Sequence, residues 1–345
     1  DFLINSLSQI YIPITKSELW DEDDSQKDRR STIYAILAKT LKIIDILIHP
    51  FSPFTTQYLY STTFDAKENI LLETWPKQDT SLIDEKVEES FDLLKEVVSV
   101  ASAARMKGKL KRRWPLNEAI ICLAKDQKNI LESLSELVKT QMNIQNYKIF
   151  EIENTEGIEQ YLELKQNGLP VIPKIELERS EIGPKAKQDM GKLLQMFSET
   201  DPETIINELN GKGSFTFQIE QNSIVLDKKD FIVNFDVDEK HQFAKRPNLI
   251  VMISLERDNE MMAKGLIKDL ARRLQTLRKE RGYSPTDILA KASILDLDSE
   301  SLNLIKDKTN ELAFLVRVKK VDFEESCKEY KNDDIDGLKI RISVE

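Results

Sequence analysis

The apolar residues change their spacing partway along the chain. Up to about residue 110 they recur at helical intervals, which commits that part to amphipathic helices. From about residue 117 onward short β-branched runs alternate with helical stretches, so the remainder reads as α+β. In the first part, apolar residues at 3, 7, 10, 11 and 14 already follow a helical period. The chain is therefore expected to be a fragment of a longer protein. Residues 29–48 place Ile33, Ile36, Leu37, Leu41, Ile44, Leu47 and Ile48 on one stripe, and Pro50 in "HPFSPFTTQYLY" stops the helix. A second helix restarts at Pro53 with Ser52 as its cap. Another, over 84–106, has Val87, Phe91, Leu94, Val98 and Ala101 at helical spacing and the acids Asp84, Glu85, Glu88 and Glu89 at its start, where the helix dipole favours them. With the amino-terminal helix, whose straightness Pro13 puts in question, these four make a helical bundle.

Beyond it, "EAIICLA" and "NYKIFEIE" read as strands flanking the helical "NILESLSELVKTQM", a βαβ-like unit. "EIENTEGIEQYLE" and "GLPVIPKIE" read as a boundary. Helices follow at about 185–198 and after Asp201, then strands at "SFTFQI", "SIVL", "DFIVNFDV" and "NLIVMISLE". A long helix over 258–281, the stretch "DILAKASILDL", a helix near 299–312 and strands "FLVRVKKVDF" and "KIRISVE" complete the chain. The expected architecture is multidomain, an all-α bundle followed by α+β: residues 1–113, a small βαβ-like junction over 114–178, and an α+β domain over 179–345.

Catalytic motifs are missing. There is no GxxxxGK[ST], no GxGxxG after a strand and no HExxH. The two cysteines, Cys122 and Cys327, are far apart and without a CxxC, which argues against a zinc site and a disulfide framework. His49, before Pro50, and His241, in a polar link, have no catalytic partners in sequence and read as structural. No run reaches the roughly 18 apolar residues of a membrane-spanning helix. No catalytic and no metal-binding residue is assigned, and a reducing cytoplasm is the expected compartment.

What stands out is basic. In "RMKGKLKRRWPL" six cations, Arg105, Lys107, Lys109, Lys111, Arg112 and Arg113, fall within nine residues of a chain whose formal net charge is −10. They leave a helix end on a connector, where they could converge on a phosphate backbone, with Trp114 beside them for stacking on a base. Two other readings compete, a solvated connector and a Trp114 that plugs the core. A second cluster lies on the long helix, where Leu266, Leu270, Leu274 and Leu277 form the buried stripe and Lys268, Arg272, Arg273, Arg278 and Lys279 occupy other faces, with Asp269 and Glu280 opposing them. This is a secondary candidate for RNA contact.

"DFLINSLSQIYI" with "ELW", "AILAKTLKIIDILIHPFSPFTTQYLY", "ETWPKQDTSLID" and "AARMKGKLKRRWPL" resemble the anticodon-binding bundle of class I aminoacyl-tRNA synthetases, in the order seen in the isoleucyl family. "IGPKAK", "LDKKDFIVNFD" and "GLIKDLARRLQTLRKERGYSPTDI" resemble the carboxy-terminal extension of that family's archaeal and eukaryotic type. The resemblance implies a tRNA-binding part of an ATP-dependent ligase that charges an isoleucine tRNA. ATP and Mg would belong to the parent's catalytic domain, a partner of this chain, and no cofactor to the chain itself. Neither HIGH nor KMSKS occurs in it. No membrane or DNA partner is implied. A protein-interaction scaffold and a free-standing RNA-binding module descended from a synthetase tail remain as alternatives.

Overall fold

The computed structural model describes residues 2–19, 27–64, 68–219, 222–335 and 337–345. Trp20 of the "ELW" stretch lies outside the described residues. Two compact units divide at residue 95.

Among the described residues the first unit is built from helices. Phe2–Tyr11 winds with π-helical hydrogen bonding and passes into α1, Ile12–Leu19. The register changes one residue before Pro13, whose missing N–H drops a hydrogen bond from the ladder. The expected helices appear as α2, Lys27–Ile48, α3, Pro53–Phe64, and α4, Glu85–Lys107. Asp84 opens α4 by accepting from the N–H groups of Lys86 and Val87 at 3.1 and 3.2 Å. His49 Nδ1 lies 2.8 Å from Thr56 Oγ1, spanning the turn between α2 and α3. The expected buried stripe of α2 is only partly buried: Ile33 is, together with Ile46 and Asp45, whereas Ile36, Leu41 and Leu47 are exposed. Periodicity identified the helix but not which of its apolar residues the neighbouring helices cover.

The second unit, residues 96–345, mixes helix and sheet. β1, Leu116–Ala124, connects through α5, Lys128–Ser133, and α6, Ser135–Met142, to β2, Ile144–Ile152, and the two strands pair in parallel. This is the expected βαβ connection. β7, His241–Arg246, and β8, Leu249–Ser254, complete its sheet in the order β2-β1-β8-β7. The antiparallel β1–β8 ladder pairs Ala119 with Ile253 and Leu123 with Leu249, so the segment after residue 113 shares a sheet with strands far along the chain. Residues 119–123 of β1 and 249–253 of β8 are continuously apolar and buried, as burial on two faces requires.

The stretches read as a boundary are ordered elements: α7, Gly157–Gln166, and β3, Val171–Leu177. The helix expected near 185–198 is two, α8, Arg179–Ala186, and α9, Met190–Glu199. A left-handed Lys187, φ 41°, opening a 3-10 turn over Lys187–Asp189, separates them. α10, Pro202–Lys212, starts at the Asp201 cap, which accepts from Thr204 N at 3.2 Å, and stops at Gly213 with φ 78°. β4, Ser214–Ile219, pairs with β5, Asn222–Asp227, and β3 pairs with β6, Phe231–Val237. These elements share one core with β1 and β8.

A second core gathers on α11, Asn259–Glu280, whose Leu266, Leu270, Leu274 and Leu277 are buried as the stripe predicts. It packs with α12, Ser299–Ile305, α13, Thr309–Val316, and a sheet ordered β10-β9-β12-β11. The strands are β9, Leu289–Leu295, β10, Val318–Asp322, β11, Lys331–Ile335, and β12, Leu338–Val344. "FLVRVKKVDF" is therefore a strand only in its second half. Phe314, Leu315 and Val316 finish α13, and a left-handed Arg317, φ 58°, turns the chain into β10.

Candidate nucleic-acid interface

α4 ends where the basic segment begins, and the turn that follows divides its charges into two sets. Lys109 takes a left-handed conformation, φ 53°, and Leu110 N donates back to Arg105 O at 2.9 Å, which reverses the chain. Arg105 is 4% exposed. Its guanidinium donates to four backbone carbonyls: Lys111 O at 3.2 Å, Trp114 O at 2.9 Å, Met142 O at 2.8 Å and Asn143 O at 3.0 Å. One side chain thus satisfies the connector and the exit of α6 together, an arrangement that the planar fork of arginine suits. Burial, with repulsion from Arg112, lowers its pKa to about 10, so it stays charged at neutral pH.

The connector is then fastened to α11. The Asp269 carboxylate, 1% exposed, accepts from Arg113 Nε at 2.7 Å on one oxygen, and from Lys111 Nζ at 3.0 Å and Trp114 Nε1 at 2.9 Å on the other. Burial alone would raise the pKa of Asp269; the donors from Trp114, Lys111 and Arg113 outweigh it and hold the carboxyl below its usual range. The Trp114 ring lies directly against Gly265, where a Cβ would stand 2.5 Å from ring carbons Cδ2 and Cε3. The Arg257 guanidinium sits 4.8 Å from the ring centroid. Trp114 is a packed anchor of the connector.

Gly265→Ala supplies a test of this anchoring. In an unencumbered helix interior the change stabilises by about 1 kcal/mol. Here the new methyl must displace a ring held by Asp269, and overpacking costs about 1–3 kcal/mol. Net destabilisation is expected in urea unfolding; a gain in stability would show that the ring is loosely held.

Lys107, Lys109 and Arg112 remain exposed. The secondary cluster on α11 divides in the same way. Arg278 is 2% exposed and donates to the carbonyls of Val316, Arg317, Ser284 and Asp287. Arg273 pairs with Asp333. Lys268 is half-buried, and its pKa is lowered chiefly by that burial. Arg272 and Lys279 are exposed.

Sequence reasoning overlooked Asp269, Gly265 and Arg257 as site residues. A usable signal existed for one of them: a glycine inside an otherwise strong helix-forming stretch marks a close approach by something bulky. Asp269 was noted only as a charge opposing its neighbours on the helix. Among the described residues, no group of three or more His, Cys, Asp or Glu could hold a metal ion, and no helix is long and apolar enough to cross a membrane.

Comparison with known proteins places this geometry in a context. Residues 1–121, which end a few residues beyond the anchored connector, match the family described as the anticodon-binding domain of tRNA ligase. The whole chain is similar to isoleucine–tRNA ligases. That of Methanocella arvoryzae is 26% identical over 100% of this chain and 31% of its own length. That of Archaeoglobus fulgidus is 24% identical with the same coverages, and that of Porphyromonas gingivalis 23% identical over 100% of this chain and 29% of its own length. The chain thus spans about a third of the length of these curated relatives. The resemblance drawn from its motifs is borne out, and it is consistent with the carboxy-terminal part of such a ligase.

Proposed function

We propose that the chain is the tRNA-binding, carboxy-terminal portion of an isoleucine–tRNA ligase that works in the cytoplasm. Its helices through residue 113 act as the anticodon-binding bundle, and its outward cations Lys107, Lys109 and Arg112 grip the phosphates of an isoleucine tRNA's anticodon stem and loop. The observation that carries this reading is the match of residues 1–121 to anticodon-binding domains, combined with a basic segment whose internal members, Arg105, Lys111 and Arg113, lock the connector so that the rest face solvent. Arg272 and Lys279 are the members of the α11 cluster left exposed for a secondary contact.

ATP and Mg would be held by the parent's catalytic domain, to which no residue of this chain contributes a recognisable ATP motif. Contact with the parent's body is supported by an aromatic face on the first unit: Phe51, Phe54 and Tyr58 are 88%, 91% and 68% exposed. Uncovered aromatic area of this kind marks an interaction surface.

Two measurements test the proposal. In filter binding, tRNA should be retained more tightly than an unrelated RNA of equal length, and the purified chain should show no isoleucine-dependent ATP–pyrophosphate exchange. Equal retention of both RNAs would point to a scaffold with solvated charges, and exchange above a host-free background would place catalysis within these 345 residues.

A further inference from the structure

Several cations of the second unit lie against aromatic faces, Lys107, Lys245 and Arg257 among them. Lys107 Nζ is 5.0 Å from the Phe243 ring centroid, Lys245 Nζ is 5.3 Å from that of Phe235, and the Arg257 guanidinium is 4.8 Å from that of Trp114. The Phe235 and Phe243 rings are themselves 4.8 Å apart, so Lys107 and Lys245 share one aromatic pair. Gly108, next to Lys107, lies against Leu255, two residues before Arg257: a Cβ on it would stand 3.1 Å from Leu255 Cδ2. The three groups thus follow one continuous surface around β7, the edge strand of its sheet. Among the described residues no carboxylate is within ion-pair distance of any of them; the nearby acids are engaged elsewhere, Glu256 with Lys240 at 2.8 Å and Asp238 with His241 at 2.6 Å.

We propose that Lys107, Lys245 and Arg257 form a phosphate track for an RNA backbone, of which Lys245 and Arg257 are new members. The inference rests on the tRNA-binding reading above. An aromatic backing removes water from one side of each cation and fixes its direction while leaving N–H donors outward. Lys107 and Lys245 sit on one aromatic pair while Arg257 sits on a separate ring, Trp114, and three cations carried on two aromatic supports suit successive phosphodiesters better than a single small anion. Trp114, nominated from sequence to stack on a base, instead serves as the aromatic support of Arg257.

Lysines on an edge strand can also serve to block strand addition, a role that needs no RNA. The test compares salt-dependent tRNA binding by wild type, by the Lys245→Ala/Arg257→Ala variant and by a Lys139→Ala/Lys212→Ala control, whose changes on α6 and α10 remove the same net charge. Counterion release of about 0.7–0.9 ions per contact weakens binding roughly thirtyfold at about 0.1 M salt for two lost contacts, and flattens the log–log slope by about 1.5. The track variant should show both effects with an unchanged melting temperature, the control neither, and Arg257→Lys should keep the slope. A folded track variant with wild-type affinity and slope, or a control weakened equally, overturns the track while leaving the tRNA reading intact. Wild type that does not prefer tRNA to unrelated RNA removes that reading and the track with it.

Discussion

Arg105→Met should destabilise the second unit by about 3–5 kcal/mol, because several buried carbonyl acceptors lose a charged donor at about 1–3 kcal/mol each before relaxation, and lower its melting temperature by roughly 10 °C. The thioether roughly fills the aliphatic space but donates nothing, so the carbonyls of Lys111, Trp114, Met142 and Asn143 lose the partner they share. Arg105→Lys should recover only part of the loss, since a compact ammonium cannot span four acceptors arranged around a planar fork. Arg112→Met, two turns of sequence away and exposed, should change stability by no more than about 0.5 kcal/mol. Equal effects of the two methionine substitutions in a thermal melt would contradict the assignment of Arg105 to the interior.

Asp269→Asn should cost about 3 kcal/mol, toward the lower end of the range for breaking a buried ion pair. The low end applies because Lys111 and Arg113 keep 32% and 33% of their side-chain surface exposed and can turn to water. Trp114 Nε1 has less freedom, being pinned between Gly265 and Arg257. The same carboxylate gives a pH signature. Its pKa is depressed in the folded protein, so its stabilisation is fully present above the unfolded value of about 3.9 and is lost as pH falls through the lower folded value. Wild type should therefore lose stability steeply below about pH 4, and Asp269→Asn less steeply, in urea titrations over that range. Parallel acid limbs for the two proteins would show that the hub is not charged in the native state.

Much of the architecture was readable from apolar spacing. α4, α10, α11 and the strands β1, β2 and β8 of the first sheet fell where period and caps placed them, because Asp84, Asp201, Pro202 and the leucine stripe of α11 act through local chemistry. β7 and β11 were missed because their sequences are rich in polar and charged residues, and β3 because Gly168, Pro170 and Pro173 read as a boundary; all three are strands by virtue of the partners that pair with them. Phe314, Leu315 and Val316 end a helix whose Val316 is buried in the core with α11 while Phe314 and Leu315 stay exposed, a tertiary arrangement that no local preference records. At the candidate site, composition located the basic segment but could not sort it. Arg105 and Arg112 are the same residue type seven positions apart, and only the fold brings carbonyls of residues 142 and 143 to one and solvent to the other. The hub at Asp269 is more than 150 residues from the donors it joins, a distance that a single sequence does not bridge.

The division of the basic segment into an internal and an outward set is tested most directly by two neutralised proteins measured side by side. In one, Lys107, Lys109 and Arg112 are replaced by Ala; in the other, Lys111 and Arg113. For each, the melting temperature and the salt dependence of tRNA affinity are recorded. The outward triple should melt like wild type and lose about 2 to 3 units of log–log salt slope, with affinity for every RNA reduced alike because phosphate contacts carry no sequence information. The internal double should melt several degrees lower and, at temperatures where it is folded, keep most of the slope. The reverse pattern, a triple that binds as wild type does and a double that loses its salt dependence without losing stability, would contradict the division.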